Sequence, residues 1–244
     1  MHSHKRIVLV TGANKGIGLE TARQLAQAGH TVLLGARDHH KGAAAAAKLA
    51  AEGLHVEAIT IDVDDAASVA RAVAHVSEHH GKLDSLINNA GVLLEPLGAA
   101  TLNTSLDVWR KTFETNLFSL VAVTLAFLPL IRKSDAGRIV NLASILASLT
   151  LHSDPTSFIY NFKTAAYDTS KTAVNAFTVH LAHELKDTPI KVNSAHPGWV
   201  KTDLGGDGAP MELEDGAKTS VALATLPDDG PTGAFLHLGA PLPW

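Results

Sequence analysis

Short apolar runs alternate with longer helical stretches along the chain, and this alternation constrains the fold more than any other feature. Each run has the length of a β-strand and is continuously apolar, which is typical of strands covered on both faces. Strands separated by helices in this way form a parallel sheet with helices on both of its faces. The sequence therefore predicts an α/β fold of the doubly wound, Rossmann type, with a mainly parallel, seven-stranded sheet and strands at 7–10, 31–34, 56–61, 83–88, 138–141, 191–195 and 234–238.

The segments between these strands carry helical patterns. The alanine run 43–47 favours a helix strongly. The long apolar stretch 104–133 is interpreted as two helices with a break near Asn116. No Pro/Gly-rich linker or internal repeat divides the chain, so we expect one domain over residues 1–244, with further helices at 16–28, 66–79, 165–185 and 212–224.

A glycine-rich turn follows the first predicted strand and opens the first helix. It reads Thr-Gly-Ala-Asn-Lys-Gly-Ile-Gly and places glycines at Gly12, Gly16 and Gly18. Glycines permit a tight turn and a close approach of the backbone to a pyrophosphate, which the helix N-terminus then faces. The alternative is a plain strand–helix turn, but the position in the first βα unit favours a dinucleotide site.

The end of the second strand distinguishes the two nicotinamide cofactors. An acid there accepts hydrogen bonds from the ribose 2′-hydroxyl of NAD, whereas a basic residue binds the 2′-phosphate of NADP. Here Ala36 takes the place of the acid and Arg37 follows it, while Lys15 of the glycine turn could reach the same phosphate. Asp38 is interpreted as the cap of the next helix. The expected cofactor is NADP(H).

Polar residues also follow the third and fourth strands, where ligands bind in such sheets. Asp62 and Val63 follow the third, and Asn88, which begins the run Asn-Asn-Ala-Gly, ends the fourth. We expect contacts with the adenine and the ribose here. The alternatives left open are a helix cap at Asp62 and a turn residue at Asn88.

Tyr167 and Lys171 are four residues apart on a predicted helix and therefore share one face. A nearby ammonium favours the phenolate, so the pair predicts a tyrosine with a lowered pKa that is suited to acid–base chemistry. Most such pairs are only surface contacts, and the rest of the chain must decide. Tyr160, the other tyrosine, has the wrong spacing to a lysine.

Several motifs together resemble the classical short-chain dehydrogenases/reductases over essentially the whole chain. They are Thr11-Gly12-x-x-x-Gly16-x-Gly18, Asn88-Asn89-Ala90-Gly91, Asn116, Ser144, Tyr167-x-x-x-Lys171 and Pro197-Gly198. The chain looks most like the NADPH-dependent carbonyl reductases of that family, through Asn14-Lys15, the segment 196–203 and the segment 230–235.

The resemblance implies a role for each matching residue. Tyr167 would donate a proton to the carbonyl oxygen, and Lys171 would lower the tyrosine pKa and bind the nicotinamide ribose. Ser144 would hydrogen-bond the reacting oxygen, although Ser148 and Ser153 lie nearby, and Asn116 would support a water relay. The expected cofactor contacts are Gly12, Asn14, Lys15, Gly16, Ile17, Gly18, Arg37, Asp62, Val63, Asn89, Ala90, Gly91, Tyr167, Lys171, Pro197, Gly198, Val200 and Thr202.

The expected reaction is NADPH-dependent reduction of a small hydrophobic ketone or aldehyde. A pocket over the nicotinamide would be lined by apolar side chains, for which the candidates are Leu93, Leu94, Ile145, Trp199 and Leu204. The alternatives are alcohol oxidation by the same residues and a non-catalytic NADP(H)-binding sensor. An intact set of catalytic side chains argues against the sensor, and epimerase or dehydratase chemistry fits the glycine spacing less well.

The connection between Ser144 and Tyr167 is longer than is usual in the family. The extra segment, 149–164, contains Phe158 and Phe162. An insertion here borders the substrate pocket in this family and lies close to the helix face used in tetramers. We hypothesise that it forms part of the pocket wall and alters assembly; a variable surface loop is the alternative.

Composition excludes several other classes of function. Without cysteine there is no disulfide or thiolate metal site, and the 14 histidines show no ligand spacing, so no metal is expected. A net charge of −4 without like-charge runs indicates neither a nucleic-acid nor a membrane partner. The apolar runs read as too interrupted to span a bilayer, and the first residues lack a signal-peptide core. We expect a cytoplasmic monomer or small homo-oligomer.

Overall fold

One eight-stranded sheet runs through the residues that the computed structural model describes, which are 5–96 and 101–244. The strand order is β3-β2-β1-β4-β5-β6-β7-β8, and every pairing up to β7 is parallel. The seven predicted strands are all present. A short β8 pairs antiparallel with β7 and was not predicted. The strands are β1 Ile7–Val10, β2 Thr31–Ala36, β3 Val56–Thr60, β4 Ser85–Asn88, β5 Arg138–Leu142, β6 Lys191–Ala195, β7 Phe235–His237 and β8 Ala240–Pro241.

The helices agree with the predicted pattern, with differences between β4 and β6. The predicted break near Asn116 is a π-helical turn, Glu114–Phe118, between two α-helices. A short helix in the segment 149–164 was not predicted. The α-helices are α1 Gly16–Gln27, α2 His39–Ala51, α3 Ala66–His80, α4 Leu106–Phe113, α5 Ser119–Ile131, α6 Leu149–Ser153, α7 Ala165–Glu184 and α8 Leu213–Ala224; two 3₁₀ turns cover Thr101–Asn103 and Ile145–Ala147.

The two faces of the sheet bury separate apolar cores. Leu9 and Leu33 point to the face covered by α3, α5 and α7, and their neighbours Val8 and Val32 point to the face covered by α1, α2 and α8. This two-sided burial explains why the strands are continuously apolar. The fold is therefore the predicted doubly wound sheet with helices around it.

The order of the strands places a switch point beside the first strand. β1 pairs with β2 on one side and with β4 on the other, so the helices that follow β1 and β4 leave in opposite directions. A crevice forms where they diverge, at the carboxyl ends of the strands. The glycine turn after β1 and the Asn-Asn-Ala-Gly turn after β4 meet there, because the Thr11 amide donates to the Ile87 carbonyl at 3.0 Å.

One apolar run is longer than we expected from the sequence. The helical run Leu106–Ile131 has 26 residues and a mean hydropathy of 1.7 in its most apolar window, enough to cross a membrane by length and composition. Of that window, 44% is buried inside the protein. Within this run, α5 packs on α3 and on β4 as a core helix of the fold does.

Candidate active site

The π-helical turn Glu114–Phe118 places Asn116 inside the protein, where it holds the segment that follows β4. The Val92 amide donates to Asn116 Oδ1 at 2.7 Å, and Asn116 Nδ2 donates to the Val92 carbonyl at 2.9 Å. Asn116 Nδ2 also donates to Ser170 Oγ on α7 at 3.0 Å. Asn116 therefore connects the segment after β4 with the helix that carries Tyr167.

Tyr167 and Lys171 lie on the first two turns of α7, and both side chains are buried. Lys171 Nζ donates to the carbonyl of Leu142, at the end of β5, at 2.7 Å and lies 5.8 Å from the centre of the Tyr167 ring. No acid neutralises this ammonium within the part of the chain that the structure describes. The pair is thus a buried arrangement rather than a surface contact.

Ser144 is the serine that meets the tyrosine. It follows β5 directly, and its hydroxyl hydrogen-bonds the Tyr167 phenol. Of the other candidates, Ser148 caps α6 and Ser153 donates to the Leu149 carbonyl. Tyr160 contacts Lys163, whose ammonium lies 5.0 Å from its ring centre.

The pKa of Tyr167 differs from the sequence-based expectation. Burial raises the pKa of Tyr167 to about 12, opposed by the hydrogen bond from Ser144 and assisted by the charge of Asp168. Burial also lowers the pKa of Lys171 to about 8. In the protein alone the pKa of Tyr167 is thus not lowered as we expected, because removal from water disfavours the charged forms of both groups. The effect of Lys171 on the tyrosine stays a prediction.

The glycine turn is built so that its backbone is open to a ligand. Gly12 and Gly16 have φ values of +62° and +57°, which favour glycine. A Cβ on Gly18 would lie 2.5 Å from Asn89 Nδ2, an atom that holds the turn by donating to the Thr11 carbonyl at 2.8 Å. No side chain caps the N-terminus of α1 among the described residues, so its first amides are free for an anion.

Arg37 and Lys15 have different surroundings, and their convergence on a 2′-phosphate stays a prediction. Arg37 is exposed at the end of β2 and has no hydrogen-bond or ion-pair partner among residues 5–96 and 101–244. Lys15 Nζ instead contacts Asp203 Oδ2 at 2.6 Å, and both side chains are exposed. Asp38 caps α2 as expected, because its carboxylate accepts the Lys41 amide at 3.0 Å.

The residues after β3 and β4 occupy the predicted edge of the sheet. Asp62 accepts the Asp64 amide, and the cap of α3 is Asp65, so the cap alternative for Asp62 is wrong. Asn88 is not a turn residue, because it is the last residue of β4; its buried amide donates to Thr124 on α5 and to Asn141 on β5.

Gly91 lies against the catalytic candidates at the same edge. A Cβ there would be 3.2 Å from Asn116 Oδ1 and 3.4 Å from Lys171 Nζ. A Cβ at this position would therefore press against the Asn116 amide and touch the Lys171 ammonium.

A profile of the short chain dehydrogenase family matches residues 6–212. The chain belongs to the short-chain dehydrogenase family. A short-chain dehydrogenase of Penicillium roqueforti is 38% identical, with 91% of this chain and 89% of that protein covered. Carbonyl reductase (NADPH) 1 of Homo sapiens is 32% identical, and 97% of each chain is covered. This short-chain dehydrogenase is thus similar to carbonyl reductases at the level of sequence.

Solved structures show the same likeness. The NADPH-bound carbonyl reductase from chicken fatty liver has a TM-score of 0.86 and 28% identity, covering 98% of this chain and 99% of its own. Salutaridine reductase from Papaver somniferum has a TM-score of 0.84 and 29% identity, covering 96% of this chain and all of its own. The fold and the family agree, and the chain is an oxidoreductase of the short-chain dehydrogenase type.

The segment after β6 of this short-chain dehydrogenase returns to the glycine turn. Gly198 has a φ of +95°, and a Cβ there would lie 2.1 Å from the sulfur of Met211. Val200 is buried beside Met211, and the methyl group of Thr202 lies 3.7 Å from where a Cβ of Gly16 would be. Pro197, Gly198, Val200 and Thr202 therefore lie in a segment that reaches the predicted cofactor site.

An open cleft of about 400 Å³ lies between the segments that follow β4 and β6. Its lining includes the predicted Leu93, Leu94 and Leu204 but not the predicted Ile145 and Trp199. The full lining is Val92, Leu93, Leu94, Glu95, Asp203 and Leu204. Glu95 and Asp203 were missed, because a lone acid in a loop carries no signal in the sequence.

The lengthened segment 149–164 does not contribute to that cleft lining. It folds against the start of α7, where Lys163 donates to the His152 carbonyl at 2.9 Å and His152 lies 3.4 Å from Asp168. Ile159 is buried, while Phe158 and Phe162 are exposed. The segment therefore does not line this cleft, and both parts of the hypothesis, the pocket wall and the assembly, stay predictions.

Proposed function

We propose that this chain reduces a ketone or aldehyde to an alcohol with NADPH, and that Tyr167 is the proton donor. The arrangement that carries the proposal is the buried contact of Tyr167 with Ser144, with Lys171 one turn away. Gly91 packs against Lys171 and continues into Val92 at the cleft. Two hydroxyl groups at one point suit an oxygen that gains negative charge during reduction.

The protonation state of the pair suits donation rather than abstraction in the resting protein. A phenol with a pKa of about 12 is neutral at pH 7 and holds its proton for transfer. Lys171 lies close enough to stabilise the phenolate that is left after transfer. Asn116, buried and bonded to Val92 and Ser170, would keep the segment after β4 in register with α7.

The residues of the glycine turn and of β2 fit a dinucleotide. The uncapped first turn of α1 would bind the pyrophosphate, and the exposed Arg37 would bind a 2′-phosphate, which favours NADP(H) over NAD(H). When bound, the cofactor supplies the hydride. Two similar proteins are themselves named as NADPH carbonyl reductases.

The substrate is proposed from the cleft. Three leucines, Leu93, Leu94 and Leu204, face it, which favours a small hydrophobic carbonyl compound. The same residues would take back the proton if the reaction ran towards oxidation, so an alcohol with NADP⁺ is the second substrate pair to assay.

Tyr167→Phe tests the proposal. The variant keeps the ring and its packing but loses the acidic proton, so we expect turnover to fall by about 10²–10⁴-fold. NADPH affinity should stay within about twofold, because the phenol is a small part of the cofactor contacts. Absorbance of NADPH measures turnover over a panel of ketones and aldehydes, and fluorescence titration measures NADPH binding.

Tyr160→Phe is the matched control, because it removes the hydroxyl of the only other tyrosine. It should leave turnover unchanged. If Tyr167→Phe retained substantial turnover, the assignment of the proton donor would be wrong. If the wild-type chain bound NADPH but reduced no carbonyl compound and oxidised no alcohol, the sensor alternative would replace it.

A further inference from the structure

Glu95 is a buried acid with no role in the proposed chemistry, and its contacts are with the backbone of the catalytic helix. The residue is 5% exposed and lies in the segment Val92–Glu95 that lines the cleft. Glu95 accepts the Ala166 amide with Oε1 at 3.0 Å and with Oε2 at 3.1 Å, and it accepts the Tyr167 amide with Oε2 at 3.2 Å.

These two amides belong to the first turn of α7, where no carbonyl of the helix itself can accept from them. A helix leaves its first four amides unsatisfied, and the residue that precedes the helix normally accepts from one of them. Thr164 holds that position but makes no such bond, because its hydroxyl donates to Asp168 Oδ1 at 2.6 Å. Glu95, which is 71 residues from Ala166 in the sequence, therefore caps the helix from another loop.

The cap also fixes one end of the cleft wall. The amide and the carbonyl of Val92 both hydrogen-bond the side chain of Asn116, and the carboxylate of Glu95 accepts from the Tyr167 amide of α7. Leu93 and Leu94, which face the cleft, lie between these two attachments. Tyr167, in the capped turn, is thereby tied to the segment that would contact substrate.

We propose that Glu95 is a positioning residue: it holds the first turn of α7, and with it the Tyr167 hydroxyl, in register with the cleft wall. The inference rests on the proposed function, because it assigns Glu95 an effect on proton transfer by Tyr167. Without the carboxylate, the buried amides of Ala166 and Tyr167 would lose their acceptor, and the turn would shift or open to regain one. A displacement of about 1 Å at a reacting group can cost about 100-fold in rate.

The test compares Glu95→Ala and Glu95→Gln with Asp65→Ala. Asp65 caps α3 by accepting the Ala67 amide at 2.9 Å, so its loss removes a helix cap away from Tyr167. Turnover is divided by the concentration of NADPH-binding sites, so that unfolded protein does not lower the measured kcat. We expect Glu95→Ala to lower kcat per site by about tenfold or more and to raise the substrate KM. Asp65→Ala should leave both unchanged.

Glu95→Gln keeps an oxygen acceptor in the same place and should recover most of the lost kcat; it also serves if the alanine variant does not fold. Hydrogen–deuterium exchange gives a readout without activity: the first turn of α7 should exchange about tenfold faster in Glu95→Ala, with α3 unchanged. Equal kcat per site in all three variants, or unchanged exchange in α7, would overturn the proposal. Failure of the proposed function would appear separately, as full turnover by Tyr167→Phe.

Discussion

Arg37 is the residue on which the proposed preference for NADP(H) rests. Its guanidinium is exposed at the end of β2, and no acid among the described residues neutralises it. The neighbouring Asp38 is already engaged as the cap of α2, where the hydrogen bond from the Lys41 amide lowers the pKa of its carboxyl group. A phosphate placed at this edge of the sheet would therefore meet a positive charge with its donors free.

Arg37→Asp is expected to reverse that preference. The substitution replaces a phosphate ligand by a carboxylate that can accept from a ribose hydroxyl, so kcat/KM for NADPH should fall by about 10–100-fold while that for NADH rises. Initial rates with both cofactors measure the ratio. Arg132→Asp, an equal charge change at the exposed end of α5, is the control. An unchanged NADPH/NADH ratio would contradict the assignment of the 2′-phosphate site.

At the scale of elements, the π-helical turn between α4 and α5 decides where Asn116 points. One extra residue in a helical turn rotates the rest of the helix and exposes backbone groups that a plain helix would use, and such turns are frequent at functional sites. Here the turn buries the Asn116 amide between Val92 and Ser170. The break was predicted from sequence, but its π-helical form was not.

Asn116→Ala should destabilise the fold by about 2–4 kcal/mol, because it leaves the partly buried amide and carbonyl of Val92 without their partners and removes a donor to the buried Ser170 hydroxyl. Asn175→Ala is a matched control, since the equally buried amide of Asn175 has no hydrogen-bond partner in the described structure. Both changes remove the same volume, so their difference isolates the hydrogen bonds. Urea unfolding measures both variants; equal destabilisation would show that Asn116 acts by packing alone.

The lengthened segment 149–164 leads to a prediction about assembly. Deletion of Ser153–Asn161 removes the exposed Phe158 together with the turn before α7, and we expect the shortened chain to form larger assemblies than the full chain. Light scattering on a sizing column measures the mass of both. Asp154→Ala, which removes only the contacts to Thr156, should behave like the wild type. An unchanged mass after deletion would leave the segment as a surface loop.

Patterns within a few neighbouring residues were enough to predict the helices and strands. Contacts between residues far apart in the sequence could not be predicted in this way. The spacing of Tyr167 and Lys171 and the glycine turn act within a few residues, so the sequence alone located them. Lys15 and Asp203 are 188 residues apart in the sequence, and no local pattern indicates that the fold brings them into contact. The pKa of Tyr167 was misjudged for the same reason, because burial depends on the whole fold rather than on the neighbouring lysine.

At the scale of the whole molecule, three buried groups couple stability to pH. Burial lowers the pKa of His196 to about 3, with the nearby His237 adding to it, and lowers that of Lys171 to about 8. Burial raises the pKa of Tyr167 to about 12. Each group is therefore favoured in its neutral form by the folded chain, whereas the unfolded chain titrates near the ordinary values.

The sign depends on which state binds more protons. Between about pH 3 and 6.5 the unfolded chain protonates His196 and the folded chain does not, and the same holds for Lys171 between about pH 8 and 10.5. Stability therefore rises with pH in both windows. Above about pH 10 the unfolded tyrosine ionises while Tyr167 keeps its proton, so stability falls there.

We expect the free energy of unfolding to rise by about 1–2 kcal/mol from pH 5 to 7, and again by about 1 kcal/mol from pH 7 to 9. Denaturant titrations at the three pH values measure this. His196 Nδ1 accepts the Ile145 amide at 3.1 Å, and an asparagine oxygen can take that place without titrating. His196→Asn should thus flatten the step from pH 5 to 7 and preserve the step from pH 7 to 9. Loss of both steps, or of neither, would mean that other groups govern the acid sensitivity of the fold.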